Sequence, residues 1–205
     1  ISKLISPTST VRLGNSGLKV PRIILGTLSY GSPEWQKWVL GEEEEHIRLA
    51  YEIGIQTFDT ANVYSNGLSE VILGKAIKEL NLPRDEVVVM TKVYFNVGHR
   101  VDDIMLRGGR YPNEHGLSRK NHYNLLTCTS RLIRGHGKAN QGNNKIVRRV
   151  EILAKKKDLT MAQVALAWII SKDQVSAPVV GTTNLNNLEE LVTAVNIKLD
   201  EEEIK

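Results

Sequence analysis

The chain has 205 residues, 41% of them hydrophobic and 24% charged, the balance of one folded domain rather than a disordered chain or a membrane protein. No apolar run approaches the roughly 20 residues of a membrane-spanning helix, and the opening ISKLISPTST lacks the apolar core and cleavage-like end of a signal peptide. The formal charge of +4 is only a weak hint of an anionic partner, while a single cysteine, Cys128, excludes an internal disulfide and suits a reducing, cytoplasmic setting.

Residues 1–10 read as a tail, and 11–205 as a single domain. Val11 to Thr27 reads as a hairpin followed by a buried strand. Asn15-Ser16-Gly17 would make the turn, with Gly17 free to take positive φ, and RIILGT would be the strand. Glu42 to Ile53 is expected to be a helix, because four glutamates complement the dipole at its start. Ile47, Ala50 and Tyr51 form its inward stripe, and Gly54 can end it in a left-handed conformation. Gln56 to Asp59 reads as a strand stopping at a carboxylate. Ser69 to Leu80 reads as a helix, with Leu73, Ala76, Ile77 and Leu80 on one face and Pro83 beyond it. Glu86 to Val93, rich in β-branched residues, is a third strand. Strands alternating with helices in this way predict right-handed βαβ units and a parallel sheet.

The alternation then breaks. Residues 96–120 and 127–145 read as irregular, separated by a short strand in NHYNLL, and loops of that length are uncommon inside a compact domain. Nine Lys or Arg fall between Arg131 and Lys157, opposed only by Glu151 and the adjacent Asp158. No aromatic residue interleaves them for base stacking, so we read a solvated face and expect no nucleic-acid partner. Ile146 to Lys157 is an amphipathic helix. Thr160 and Gln163 make a capping box for a helix ending near Ile170. Ala177 to Gly181 is a buried strand, and Leu185, Leu188, Val192 and Val195 mark the inner face of a final helix.

Asp59, Tyr64 and Lys92 lie at or just past the carboxyl ends of strands, the edge where parallel α/β folds bind ligands. Their chemistry is coherent as a set. A phenol has a pKa of about 10, an ammonium beside it stabilises the phenolate, and a carboxylate holds the ammonium in place. Such a trio can give a proton to a carbonyl oxygen. Read singly, Asp59 is equally a cap, Tyr64 a half-buried aromatic and Lys92 a surface cation.

The strings RLGNSGLKVPRIILGT, FDTANVYSNGLSEVILGKAI and VVVMTK resemble the amino-terminal third of an aldo-keto reductase. AQVALAWII and APVVGTTNLNNLEEL resemble its carboxy-terminal part. The resemblance implies a (β/α)8 TIM barrel and an NADPH-dependent (NADP+-forming) oxidoreductase acting on a small-molecule aldehyde or ketone. It makes Asp59, Tyr64 and Lys92 three members of the family's catalytic tetrad, with Tyr64 the proton donor. Gly26, Thr27 and Asp59 would lie near the nicotinamide. Gly181, Thr182, Thr183, Asn184, Asn187 and Glu190 would clamp the adenosine 2′-phosphate. Backbone amides running from Gly181 into a helix start suit an anion independently, although simple helix capping accounts for Thr182 to Asn184 as well.

The chain also departs from the family. The fourth tetrad member is a histidine, and none of His46, His99, His115, His122 or His136 stands in the string that carries it. GLSRK resembles the start of the family's third helix and NHYNLL its sixth strand, yet they join directly at Lys120–Asn121. The third helix, the fourth and fifth strands and the helices after them are missing, and the seventh strand is unrecognisable. Lys120 stands where a glutamine would bind the carboxamide. An incomplete barrel is therefore expected. Its exposed strand edges and apolar helix stripes would cost more than a net stability of about 5–15 kcal/mol. A marginal or misfolding product is therefore expected unless a second chain completes the barrel. An inactive nucleotide-binding or interaction module, or a product without function, is the alternative to a working reductase. Oligomeric state stays open.

Overall fold

The computed structural model describes residues 9–41, 44–98, 100 and 141–204. Strands β1 (Thr10–Arg12) and β2 (Lys19–Pro21) pair antiparallel, with Val11 opposite Val20. Their turn differs from expectation: Gly14, at φ 55°, takes the left-handed conformation and Gly17 does not. The reason is local. Ser16 Oγ donates to the Leu13 carbonyl at 2.7 Å and Leu13 N–H to Leu18 O at 2.9 Å, so the chain reverses before Gly17 is reached. The hairpin is anchored at a distance by Gly14 N–H on Ser176 Oγ (3.0 Å). Just beyond it, Arg22 bonds the Ile170 carbonyl (3.0 Å).

Four short strands form the main sheet: β3 (Ile24–Gly26), β4 (Thr57–Asp59), β5 (Val88–Met90) and β6 (Val179–Val180). All are parallel, in the order β5-β4-β3-β6, so the last of these strands in the sequence returns to lie beside β3, the first of them. Around them run α1 (Glu44–Glu52), α2 (Leu68–Glu79), α3 (Gln141–Lys157), α4 (Met161–Ile170), α5 (Leu185–Thr193) and the short α6 (Glu201–Ile204).

Side-chain alternation shows how the layers stack. Leu25 and Phe58 are register partners, both fully buried, and share one core with Ile47 and Ala50 of α1, Ile72 and Leu73 of α2, Leu166 of α4 and Leu188 of α5. Val89 and Val180, on the same face of the outer strands, pack against that core. Four helices thus cover one face of a parallel sheet. The opposite face carries Gly26, Asp59 and Met90 at one level. One-sided cover, with the last strand beside the first, is the construction of a (β/α)8 barrel rather than of an open sheet clad on both faces. The described residues supply about half the strands of a complete barrel, so among them the barrel is incomplete. Val179, on the inner face of the outer strand β6, is accordingly 50% exposed.

Two boundaries differ from the sequence reading. Strand pairing is shorter than the apolar runs, and Lys92 lies two residues beyond β5 rather than within it. Helix α3 begins at Gln141, inside a stretch that reads as loop. Its first residues carry no apolar periodicity, but extending an existing helix costs little compared with nucleating one. Tyr51 is half-buried against the core as expected, with its hydroxyl reaching out to donate to Glu86 (2.5 Å), and Ile53 is buried beside it. As expected, Gly54 is left-handed and Thr160 and Gln163 form the capping box. The cations of α3 lie largely on its exposed side. His99, His115, His122, His136, Cys128, NHYNLL and the Lys120–Asn121 junction lie outside the described residues. No helix among the described residues is long and apolar enough to cross a membrane.

Candidate active site

Strand register sets the floor of the site. Gly26, Asp59 and Met90 are direct partners across three strands, so the chain leaves the sheet at Thr27, Thr60 and Thr91 on one rim. Pairing continues one step further, through Thr27 N–H to Asp59 O (2.8 Å) and Thr60 N–H to Met90 O (2.8 Å). Asp59 therefore meets the rim from the inner face, with its carboxylate only 15% exposed.

Lys92 reaches back over this rim. Its Nζ donates to Asp59 Oδ2 at 2.7 Å and to the Thr60 carbonyl at 2.7 Å, and it stands 4.9 Å from the centre of the Tyr64 ring. Burial works against the ammonium, but its hydrogen bonds with Asp59 and Tyr64, and their charges, outweigh that and hold the amine above the ordinary lysine range. The structure thus brings Asp59, Tyr64 and Lys92 together.

Tyr64 is placed by an unusual backbone. It opens a 3₁₀ turn, Tyr64–Gly67, in which Ser65 (φ 47°), Asn66 (φ 53°) and Gly67 (φ 96°) are all left-handed. The buried Ser65 accepts from Ser32 N–H at 3.2 Å, which ties the turn to the segment after β3. At the start of α2, Ser69 Oγ bonds the Thr27 carbonyl (2.8 Å) and hydroxyl (2.9 Å). Glu70 accepts from Thr91 Oγ1 at 2.6 Å, beside Lys92. Sequence reasoning missed Ser65, Ser69 and Glu70; the only available signal was polar residues placed in the first turn of an otherwise apolar helix.

Among the residues expected at the cofactor, Gly26 is buried where a Cβ would meet Val179 Cγ1 at 3.0 Å, and Gly181 lies beside it, a Cβ there being 3.7 Å from Gly26 O. Thr27 is fully buried, and its hydroxyl is already engaged with Ser69 and the Asp59 carbonyl (3.3 Å). Asn184 caps α5 through Asn186 N–H (2.9 Å) and is bonded to Thr182 Oγ1 (3.1 Å). Thr183 and Asn187 are exposed. Glu190 accepts from Thr160 Oγ1 at the start of α4, so its carboxylate joins two helices. His46 is buried in α1 against Tyr30, with ring centres 5.3 Å apart. No group of metal-ligating side chains occurs among the described residues.

Comparison with known proteins adds a family. The model described as the aldo/keto reductase family matches residues 22–123 and 105–205. Versiconal hemiacetal acetate reductase of Aspergillus parasiticus is 51% identical over 117 residues, 53% of this chain and 34% of that protein. Aldo-keto reductase AFTS1 of Alternaria alternata is 47% identical over 120 residues, covering 56% and 33%. Aldo-keto reductase dtxS3 of Metarhizium robertsii is 42% identical over 135 residues, covering 58% and 36%. The chain thus spans about a third of the length of each of these curated relatives in the matched region.

Proposed function

Because the chain belongs to the aldo/keto reductase family, we propose that it is an NADPH-dependent reductase of small aldehydes or ketones, with Tyr64 as proton donor. One observation carries this reading: Lys92 Nζ sits 2.7 Å from Asp59 Oδ2 and 4.9 Å from the Tyr64 ring centre, at the carboxyl rim of a parallel sheet. As a carbonyl oxygen gains negative charge, the Tyr64 hydroxyl gives it a proton. The phenolate left behind is met by the Lys92 ammonium. Asp59 and the Thr60 carbonyl keep that ammonium from swinging into solvent.

Bound NADPH would supply the hydride. Thr183 and Asn187, exposed donors at the positive end of α5, suit its phosphate-bearing end. Asn184 and Thr182 support them by fixing the helix start, and Gly181 lies beside Gly26. At the nicotinamide end, Asp59 and Gly26 remain as lining, while Thr27 acts through the backbone it braces. Glu190 serves the clamp by locking α5 to α4.

A second reading is an inactive nucleotide-binding or interaction module, because the described residues form four parallel strands rather than the eight of a closed barrel. Titrating NADPH by fluorescence, in parallel with turnover of a generic aldehyde, separates the two. Micromolar quenching with turnover supports the reductase. Quenching without turnover supports the module, and no quenching at millimolar NADPH rejects both.

A further inference from the structure

Tyr64 and Lys92 sit on different loops, and sheet register ends before either of them, at Asp59 and Met90. Something else must fix the separation of the phenol and the ammonium. The segment after Lys92 runs across the Tyr64 turn and is stapled to it by two asparagines. Asn62 N–H donates to Lys92 O (3.2 Å), and its side-chain Nδ2 to Phe95 O (3.3 Å). Asn66 makes the firmer contact. Its Nδ2 donates to Arg100 O at 2.7 Å, and its Oδ1 accepts from Gly98 N–H at 2.9 Å.

We infer that Asn66, assisted by Asn62, is a positioning residue that clamps the Tyr64 turn to the segment following Lys92 and so sets the distance between proton donor and ammonium. The inference rests on the reading that these two groups act together. Both amide ends of Asn66 are used, on backbone groups more than thirty residues away in sequence, which an asparagine serving only its own turn would not require. The turn also needs an external hold. Three consecutive left-handed residues, two of them not glycine, form a backbone that L-residues adopt only when their surroundings over-determine it. Ser65 is held on one side by Ser32, and Asn66 on the other by Gly98 and Arg100. Tyr64, immediately before them, has its place fixed from both flanks.

The blander role for Asn66 is tolerance of positive φ, since asparagine visits that region more readily than most residues. Asn66→Gly separates the two roles, because glycine adopts the conformation more easily still but carries no amide. The full chain, labelled at lysine 13Cε and assigned with Lys92→Met, is titrated as wild type, Asn66→Gly and Asn66→Asp. Clamping predicts that Asn66→Gly brings the Lys92 titration down toward that of an ordinary lysine and speeds amide exchange at Gly98. Asn66→Asp, which keeps the acceptor for Gly98 N–H, should fall between the two. Aldehyde turnover should show kcat reduced about tenfold to a hundredfold with KM little changed, the signature of a misplaced reacting group. An unchanged Lys92 titration in Asn66→Gly overturns the inference, whatever the rate does. Failure of the reductase reading looks different: Tyr64→Phe keeps its turnover, or no variant turns over, while the titration still decides the clamp.

Discussion

Replacing Gly31 with alanine drives a methyl group into Ser65. An ideal Cβ at position 31 would stand 1.9 Å from Ser65 Oγ and 2.4 Å from Ser65 Cβ, where ordinary contact begins near 3.4 Å. The obstacle is not a flexible tip. Ser65 is buried, and its backbone belongs to the turn that carries Tyr64, so one of two packed loops must move by well over an ångström. Overpacking of this kind costs about 1–3 kcal/mol. For a chain of this size that corresponds to a fall in Tm of roughly 2–12 °C. Ser65→Gly should cost little by itself. It loses the 3.2 Å bond from Ser32 N–H, a loss of about 1 kcal/mol, but relieves a left-handed residue by a similar amount. The double variant has room for the methyl group and should recover most of the loss, giving a favourable coupling of about 1–3 kcal/mol in a cycle measured by urea denaturation. Losses that simply add, to within about 0.5 kcal/mol, would refute the close approach and with it the keying of the first loop onto the tyrosine turn.

Phe58→Ala empties the centre of the helix-side core and should cost about 3–5 kcal/mol, read from the urea midpoint; a loss below 1 kcal/mol or so would mean that Phe58 is not packed as described. Thr160→Ala removes both the cap of α4 and the partner of Glu190, and should cost about 1–2 kcal/mol, with Gln163→Ala reproducing part of it. The pH dependence of Lys92 has a definite sign. Its folded-state affinity for a proton is raised, so its stabilising contribution is complete below the ordinary lysine value of 10.5 and is lost as pH rises through the higher folded value. The stability difference between wild type and Lys92→Met, followed by thermal melts, should hold steady from neutral pH to about pH 10 and narrow above it. A difference that widens with rising pH would contradict the Asp59–Lys92 pairing.

The parts of this molecule legible in its sequence are those where a local rule decides. Asp59 closes an apolar run, and a carboxylate at the end of a parallel strand belongs to the ligand-binding edge whatever else the chain does. The Thr160–Gln163 capping box is a four-residue pattern whose partners sit within it. Elsewhere distant contacts intervene, and periodicity carries no trace of them. Glu190 looks free to face a ligand beside Asn187, but Thr160 on another helix takes its carboxylate. Thr27 looks like a rim residue, yet Ser69, forty-two positions away, uses its hydroxyl. Gly31 looks like an ordinary loop glycine until the tyrosine turn is placed against it. Strand ends misled for a different reason. β-branched residues continue past the last register partner, so VVVMTK reads as one strand to Lys92, although the register ends at Met90. Beyond it the Asn62 N–H to Lys92 O bond holds the backbone while the lysine side chain turns back over Asp59.

In the proposed reaction Tyr64 gives the proton and the Lys92 ammonium meets the phenolate left behind. Aldehyde-dependent oxidation of NADPH by the full chain, compared between wild type and Tyr64→Phe, tests this most directly. General acid catalysis predicts a fall in kcat of about 10²–10⁴-fold with NADPH affinity essentially unchanged. A phenylalanine variant that keeps more than about a tenth of the wild-type rate contradicts it.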